Sequence, residues 1–134
     1  AGAVVLRASE SPGILLTRLY AQGELSDLLE VENPLLDKTL ENHYLKMKGK
    51  HVFKHAVSRL GELVEEIQES HLKDEPIDWL VPHQANIRII QATAEKLGLP
   101  FDKVVCTVAT HANTSSASIP LALDVAVRDG RIQR

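Results

Sequence analysis

The sequence predicts an α/β fold, and two observations carry that prediction. Between residues 77 and 130 a short apolar run, a polar loop and a helical pattern follow one another twice. Ahead of them, residues 49–70 hold the clearest helical periodicity in the chain. A strand, a helix and a second strand in one sheet imply a right-handed crossover between parallel strands. Ligands of such sheets bind beyond the carboxyl ends of the strands, where loops and helix N-termini offer hydrogen-bond donors.

The elements read in order as follows. Residues 3–8 and 14–20 are apolar-rich runs separated by Ser11-Pro12-Gly13, and are expected as two strands joined by a turn. Residues 22–43 carry Glu24, Asp27, Glu30, Glu32, Asp37 and Glu41 against a single Lys38, with Asn33-Pro34 opposing any helix there, so they are expected as a long connection. In 49–70, Val52, Phe53, Ala56, Val57, Leu60, Leu63, Val64 and Ile67 recur at helical spacing. Lys54, Arg59, Glu62, Glu65, Glu66 and Glu69 lie on the opposite face of this amphipathic helix of about six turns. Ile77-Asp78-Trp79-Leu80-Val81 reads as a buried strand, followed by a loop at 82–86 and a helix from Asn86 to Leu97 that Gly98 stops. Val104-Val105-Cys106-Thr107-Val108 reads as a second buried strand, followed by a polar loop. A last helix begins near Ser118, with Pro120 in its first turn, and stops at Gly130.

Composition narrows the function classes. At 134 residues, 44% apolar and 25% charged, the chain suits one soluble hydrophobic core. A net charge of −3 gives no general attraction to nucleic acid or anionic membrane, and no apolar run approaches the roughly 20 residues that span a bilayer. The single cysteine, Cys106, excludes an internal disulfide and suits a reducing, cytoplasmic setting. Residue 1 is Ala and opens straight into Ala3-Val4-Val5-Leu6 without a basic lead, so both ends read as cuts through a larger fold.

Two side chains are candidates for chemistry: His83 after the first buried strand and Asn113 after the second. If the strands are neighbours, an imidazole N–H and a carboxamide N–H₂ can meet above the sheet as a donor pair for a developing oxyanion. The pattern alone leaves a plainer reading open. Asn, Thr and Ser before a helix also serve as caps, and a histidine after a strand also serves a structural role.

The string Val81-Pro82-His83-Gln84-Ala85-Asn86-Ile87-Arg88-Ile89-Ile90 resembles the histidine motif of the β-ketoacyl-acyl-carrier-protein synthase III family. His111-Ala112-Asn113-Thr114-Ser115-Ser116-Ala117-Ser118 resembles its asparagine motif. Met47-Lys48-Gly49-Lys50-His51-Val52-Phe53-Lys54 resembles an upstream segment, and Leu123-Asp124 through Arg128-Asp129-Gly130-Arg131-Ile132 continues the match. The resemblance implies a thiolase-like layered α-β-α fold, present in part. Residues 1–21 would be end strands of the N-terminal half, 22–43 the connection, and 44–134 the C-terminal half without its closing hairpin.

The resemblance also implies an activity: decarboxylative condensation of an acyl-CoA primer, acetyl-CoA above all, with malonyl-acyl-carrier protein, which starts fatty acid synthesis. His83 and Asn113 would hold the malonyl thioester oxygen, and the nucleophilic cysteine would lie outside this chain. Phe53, Met47 and Gly49 would border the acyl or pantetheine channel, with core packing the alternative for Phe53. Arg88 and Lys54 would dock the acidic carrier protein or the phosphopantetheine phosphate, with a solvated face the alternative for the neighbouring Lys46, Lys48 and Lys50. CoA and phosphopantetheine thioesters would be substrates rather than cofactors, and the complete enzyme would be a cytoplasmic homodimer. A condensing enzyme of secondary metabolism and a non-catalytic module binding carrier protein or CoA are the alternatives.

Cys106 is expected to be structural, because it sits mid-strand in an apolar run where cysteine behaves as a small hydrophobe. No metal is expected. His51 and His55 have i, i+4 spacing but lack the HExxH glutamate and a third ligand, and His43, His71 and His111 have no convincing partner. Two positions depart from the family pattern: Ala112 stands where Gly is frequent, and Thr110 where a basic residue is frequent.

Overall fold

The computed structural model describes residues 1–33, 44–73 and 75–133. Pro34, Asp37, Lys38, Glu41 and His43, in the later part of the expected connection, lie outside the described residues. The chain divides into two compact units, Ala1–Val5 with Ala56–Arg134, and Leu6–His55.

The core of the first unit is built on strict side-chain alternation. Leu80 and Val104 form a parallel bridge, with Leu80 N–H donating to Lys103 O at 3.0 Å and Val105 N–H to Leu80 O at 2.9 Å. Because successive strand residues face opposite ways, Leu80, Val104 and Cys106 turn to one face and Trp79, Val81 and Val105 to the other. Helix α2, Ile87–Lys96, covers the first face with Ile90 and Ala94. Helix α4, Ser118–Arg128, covers the second with Ala122 and Ala126. The result is one layer of extended chain between two of helix, as an α/β crossover requires. Small residues on α4 let it approach closely, and Val105, Ala122 and Ala126 are all fully buried.

The helix boundaries follow their signals. Asn86 caps α2, its side-chain oxygen accepting from Arg88 N–H at 2.8 Å. Gly98 (φ +61°) and Gly130 (φ +82°) turn the chain out of α2 and α4 in the left-handed conformation that glycine adopts without penalty. Cys106 packs beside Ile90, Ala94 and Val104 as a small core hydrophobe.

Helix α1, Gly49–Ile67, carries the expected stripe, but its apolar residues are only half-buried and Gly61 is its one buried residue. A five-residue π-helical turn, Gln68–Leu72, ends it, where an α-helix to residue 70 is expected. Lys96 explains Gly61. Its aliphatic stem lies where a Cβ would stand, 2.6 Å from Lys96 Cδ, and its Nζ donates to Ser58 O at 3.2 Å.

All four expected strands are corrected. Residues 3–8 and 14–20 form no ladder among the described residues, and Val5, Leu6, Leu15 and Leu19 are exposed. β-propensity reflects fit to a pleated, half-buried surface, and without a neighbouring strand it forms nothing. The two buried strands shrink to one bridge: Leu80 and Val104 pair, but no ladder runs through 77–81 or 104–108 among the described residues, and Val108 opens a single helical turn, α3, Val108–His111, with His111 N–H donating to Thr107 O at 2.9 Å. Val108 still packs against the core, so its apolar character is explained by burial alone.

In the second unit, residues Leu6–His55, a 3-10 turn at Gly23–Leu28 leads into strand β1, Leu29–Glu30, which pairs antiparallel with β2, Lys46–Met47. The connection is therefore partly structured. Lys46 pairs with Glu32 and Lys48 with Asp27. The Lys48 ammonium holds the Asp27 carboxyl below the usual carboxylate range, and Glu32 raises the Lys46 ammonium. Asp27 thus contributes to stability above the unfolded carboxylate range and loses that contribution as pH falls through its own lowered value. Both pairs are solvent-exposed, where such interactions are weak and screened by salt.

Candidate functional site

The His83 loop is held by its neighbour. Gln84 is fully buried, and its amide uses both donors and its acceptor: Nε2 donates to Pro82 O at 2.9 Å and to Val105 O at 3.0 Å, and Oε1 accepts from Thr107 N–H at 2.7 Å. One side chain therefore bolts the loop after the first strand to the end of the second. A second tie comes from Ser118, itself 1% exposed, whose hydroxyl oxygen accepts from Gln84 N–H at 3.1 Å and lies 2.6 Å from His83 Nδ1. His83 is half-buried, and among the described residues its Nε2 has no hydrogen-bond partner.

Asn113 leads the loop into α4. Its side-chain oxygen accepts from Ser115 N–H at 3.0 Å, closing an Asx turn that fixes which end of the carboxamide faces outward. Among the described residues its N–H₂ group makes no hydrogen bond, and the side chain is exposed. Both loops are anchored at one place: Ser118 holds His83, and the Asn113 loop runs through a 3-10 turn, Ser115–Ala117, directly into Ser118. The plainer reading of this loop holds in part: Asn113 takes up Ser115 N–H at the start of the 3-10 turn, whereas Thr114, at that turn's N-cap, makes no side-chain cap bond and Ala117 precedes α4.

Just before Asn113, Ala112 holds φ +56° and ψ −167°. This region is populated almost only by glycine and costs other residues about 1–3 kcal/mol. Ala112→Gly is therefore expected to raise stability by about 1 kcal/mol, net of the extra chain entropy that glycine brings to the unfolded state. A urea midpoint that moves up without a change in slope would bear this out; a lower midpoint would show that the alanine is unstrained. On the same segment, Thr107 Oγ1, His111 Nδ1 and Thr114 Oγ1 are buried without a hydrogen-bond partner. His111 is thus not simply a surface histidine.

The other sequence candidates sit as follows. Arg88 is exposed in the first turn of α2. Lys54 is exposed on α1 and Phe53 half-buried on it, while Gly49 opens that helix with open space where a Cβ would stand. Met47 is exposed on β2. Lys46 and Lys48 are each engaged by a carboxylate, so the stretch of lysines presents less free positive charge than its sequence suggests. Among the described residues no three His, Cys, Asp or Glu side chains gather as a metal site, and no helix is long and apolar enough to cross a membrane.

Gln84 and Ser118 are the two residues whose roles sequence reasoning missed. A glutamine in a polar loop carries no mark of full burial, and Ser118 reads only as a helix start.

Extended chain bridged in parallel at Leu80 and Val104, covered by helices on both faces and ending in polar loops, defines an α/β protein, and the solved structures it resembles make it thiolase-like. The crystal structure of 3-oxoacyl-[acyl-carrier-protein] synthase III from Aquifex aeolicus VF5 superposes with a TM-score of 0.83 at 42% identity, over 95% of this chain and 39% of that one. The Thermus thermophilus synthase III structure gives a TM-score of 0.74 at 43% identity, over 85% of this chain and 37% of that one. Residues 67–134 match the family described as 3-oxoacyl-[acyl-carrier-protein (ACP)] synthase III C terminal, and the chain belongs to that family. It is 56% identical, over its whole length, to the β-ketoacyl-[acyl-carrier-protein] synthase III of Coxiella burnetii strain Dugway 5J108-111, and 57% identical over 138 residues to that of Thioalkalivibrio sulfidiphilus. The chain spans 42% of the first relative's length and 43% of the second's.

Proposed function

We propose that this chain supplies the oxyanion-binding half of a decarboxylating condensing enzyme. The enzyme joins an acyl-CoA primer, acetyl-CoA above all, to malonyl-acyl-carrier protein and so starts fatty acid synthesis. The observation that carries the reading is the pair of held side chains whose other nitrogens no described residue engages: His83 fixed through Nδ1 by Ser118, and Asn113 fixed through its oxygen by Ser115.

The chemistry needs such a pair. When the malonyl thioester loses carbon dioxide, the electron pair of the breaking carbon–carbon bond moves into an enolate, and negative charge gathers on the thioester oxygen. Donors fixed at that oxygen stabilise the transition state more than the ground state, which is what raises the rate. The enolate carbon then attacks the acyl thioester carbonyl on the enzyme, a new carbon–carbon bond forms, and the thiolate leaves. Cys106, in the core between α2 and the extended layer, is not that thiolate; it belongs to a part of the enzyme outside this chain.

In this reading Phe53, Met47 and Gly49 border the channel for the acyl group or pantetheine, and Arg88 and Lys54 meet the acidic carrier protein or its phosphate. The working form is a homodimer in the cytoplasm. Guanidinium and ammonium groups suit phosphate and carboxylate through charge-assisted hydrogen bonds. Arg88→Glu is accordingly expected to raise KM for malonyl-carrier protein about tenfold at low salt and leave KM for acetyl-CoA unchanged, with the difference shrinking as salt screens the contact. An unchanged carrier KM would remove Arg88 from docking.

The reading as a whole is tested by assaying the complete enzyme with acetyl-CoA and malonyl-carrier protein. Release of carbon dioxide together with a β-ketoacyl-carrier product supports it. Carrier binding with no turnover would favour the non-catalytic module, and turnover only with other acyl primers would favour secondary metabolism.

A further inference from the structure

We infer that Ser118 is a positioning residue that sets the tautomer of His83, so that Nε2 carries the proton. The inference rests on the reading of His83 as an oxyanion donor and adds the group that makes it one.

The argument is a proton count at a buried hydroxyl. A serine hydroxyl has one proton to give and lone pairs to accept with. Among the described residues Ser118 Oγ has two hydrogen-bond partners: Gln84 N at 3.1 Å and His83 Nδ1 at 2.6 Å. A backbone N–H only donates, so the contact with Gln84 uses a lone pair of Oγ. The hydroxyl proton then has one available acceptor, His83 Nδ1. If Nδ1 instead carried the proton, Ser118 would accept twice and its own proton would be left without an acceptor at a position 1% exposed. Leaving a buried donor unmade is the costlier arrangement. Nδ1 therefore accepts, the ring is neutral, and the remaining proton sits on Nε2.

The direction of the chain of bonds matters. Gln84 N–H polarises Ser118, and Ser118 O–H fills the Nδ1 lone pair. The same loop backbone that Gln84's side chain bolts to Val105 and Thr107 thereby also dictates which ring nitrogen faces outward as a donor. A histidine free to exchange tautomers would present a lone pair to the enolate oxygen part of the time, and a lone pair repels it.

The direct test is the nitrogen spectrum of His83 in the complete enzyme labelled with ¹⁵N-histidine, assigned by comparison with His83→Gln. The expected result is a protonated Nε2 and an unprotonated Nδ1 near neutral pH. A protonated Nδ1 would overturn the inference without touching any variant's folding. Ser118→Ala is expected to mix the two tautomers and to lower kcat for malonyl decarboxylation about tenfold to a hundredfold, by analogy with the loss on removing the group that orients a metal-ligating histidine. KM and self-acylation should stay near wild type, and Ser118→Thr, which keeps the hydroxyl, should restore most of the rate. If His83→Ala lowers decarboxylation sharply while Ser118→Ala leaves its rate at wild type, the relay is wrong and the donor role stands. If His83→Ala itself leaves decarboxylation intact, the donor role falls and the inference falls with it.

Discussion

In the complete enzyme, His83→Ala and Asn113→Ala are each expected to lower malonyl decarboxylation about a hundredfold to a thousandfold, the effect of deleting one oxyanion donor. Acyl transfer from acetyl-CoA to the enzyme should survive in both variants. The separation follows from where charge develops in the proposed reaction: there the two donors would meet the malonyl oxygen, whereas self-acylation would depend on a nucleophile elsewhere. The double variant is expected to lose less than the product of the single losses, because two donors on one oxygen act as a unit. Timed release of labelled carbon dioxide and mass spectrometry of the acylated enzyme read the two half-reactions separately. Equal losses in both would contradict the division of labour.

The second large effect is on stability. Gln84→Ala removes three buried hydrogen bonds at once, leaving Pro82 O, Val105 O and Thr107 N–H to find other partners. Each orphaned buried group costs about 1–3 kcal/mol, and part of that is recovered by relaxation. A net loss of about 3–5 kcal/mol is expected, which places Gln84 among the most sensitive positions in the chain. Gln84→Glu should do no better: its carboxylate oxygens can replace the acceptor for Thr107 but would face the carbonyls of Pro82 and Val105. Urea unfolding of the complete enzyme measures this as a lowered midpoint at constant slope. A midpoint near wild type would mean that the three backbone groups are satisfied without the side chain.

Much of this was legible in the sequence where periodicity and punctuation agree. The apolar stripe from Val52 to Ile67 and the glycines Gly98 and Gly130 after α2 and α4 each state a local physical preference, and the local preference was obeyed. The strand–loop–helix repeat gave the layering, because Leu80 and Val104 alternate with Trp79 and Val105 across it. What was not legible depends on partners. Residues 3–8 and 14–20 have strand composition, but pairing is a property of two segments and is invisible in one. Val108 continues an apolar run, yet the backbone turns helical there, since burial and conformation are separate requirements.

The candidate site divides in the same way. His83, Asn113 and Arg88 stand out by residue type and by resemblance. The groups that aim them do not. Ser115 supplies only a backbone N–H to Asn113, which any residue would have. Gln84 and Ser118 act through tertiary bonds to residues more than twenty positions away, and no local spacing records those. Ala112 is the instructive middle case: its mismatch with the glycine frequent in the family was visible, and its positive φ supplies the physical meaning.

The most direct test of the central claim is a structure of the complete enzyme with a malonyl thioester analogue that cannot lose carbon dioxide. The account predicts His83 Nε2 and Asn113 Nδ2 both about 2.7–3.1 Å from the analogue's thioester oxygen, with Ser118 still on His83 Nδ1. An oxygen met by other groups, with either nitrogen turned away from it, would contradict the account.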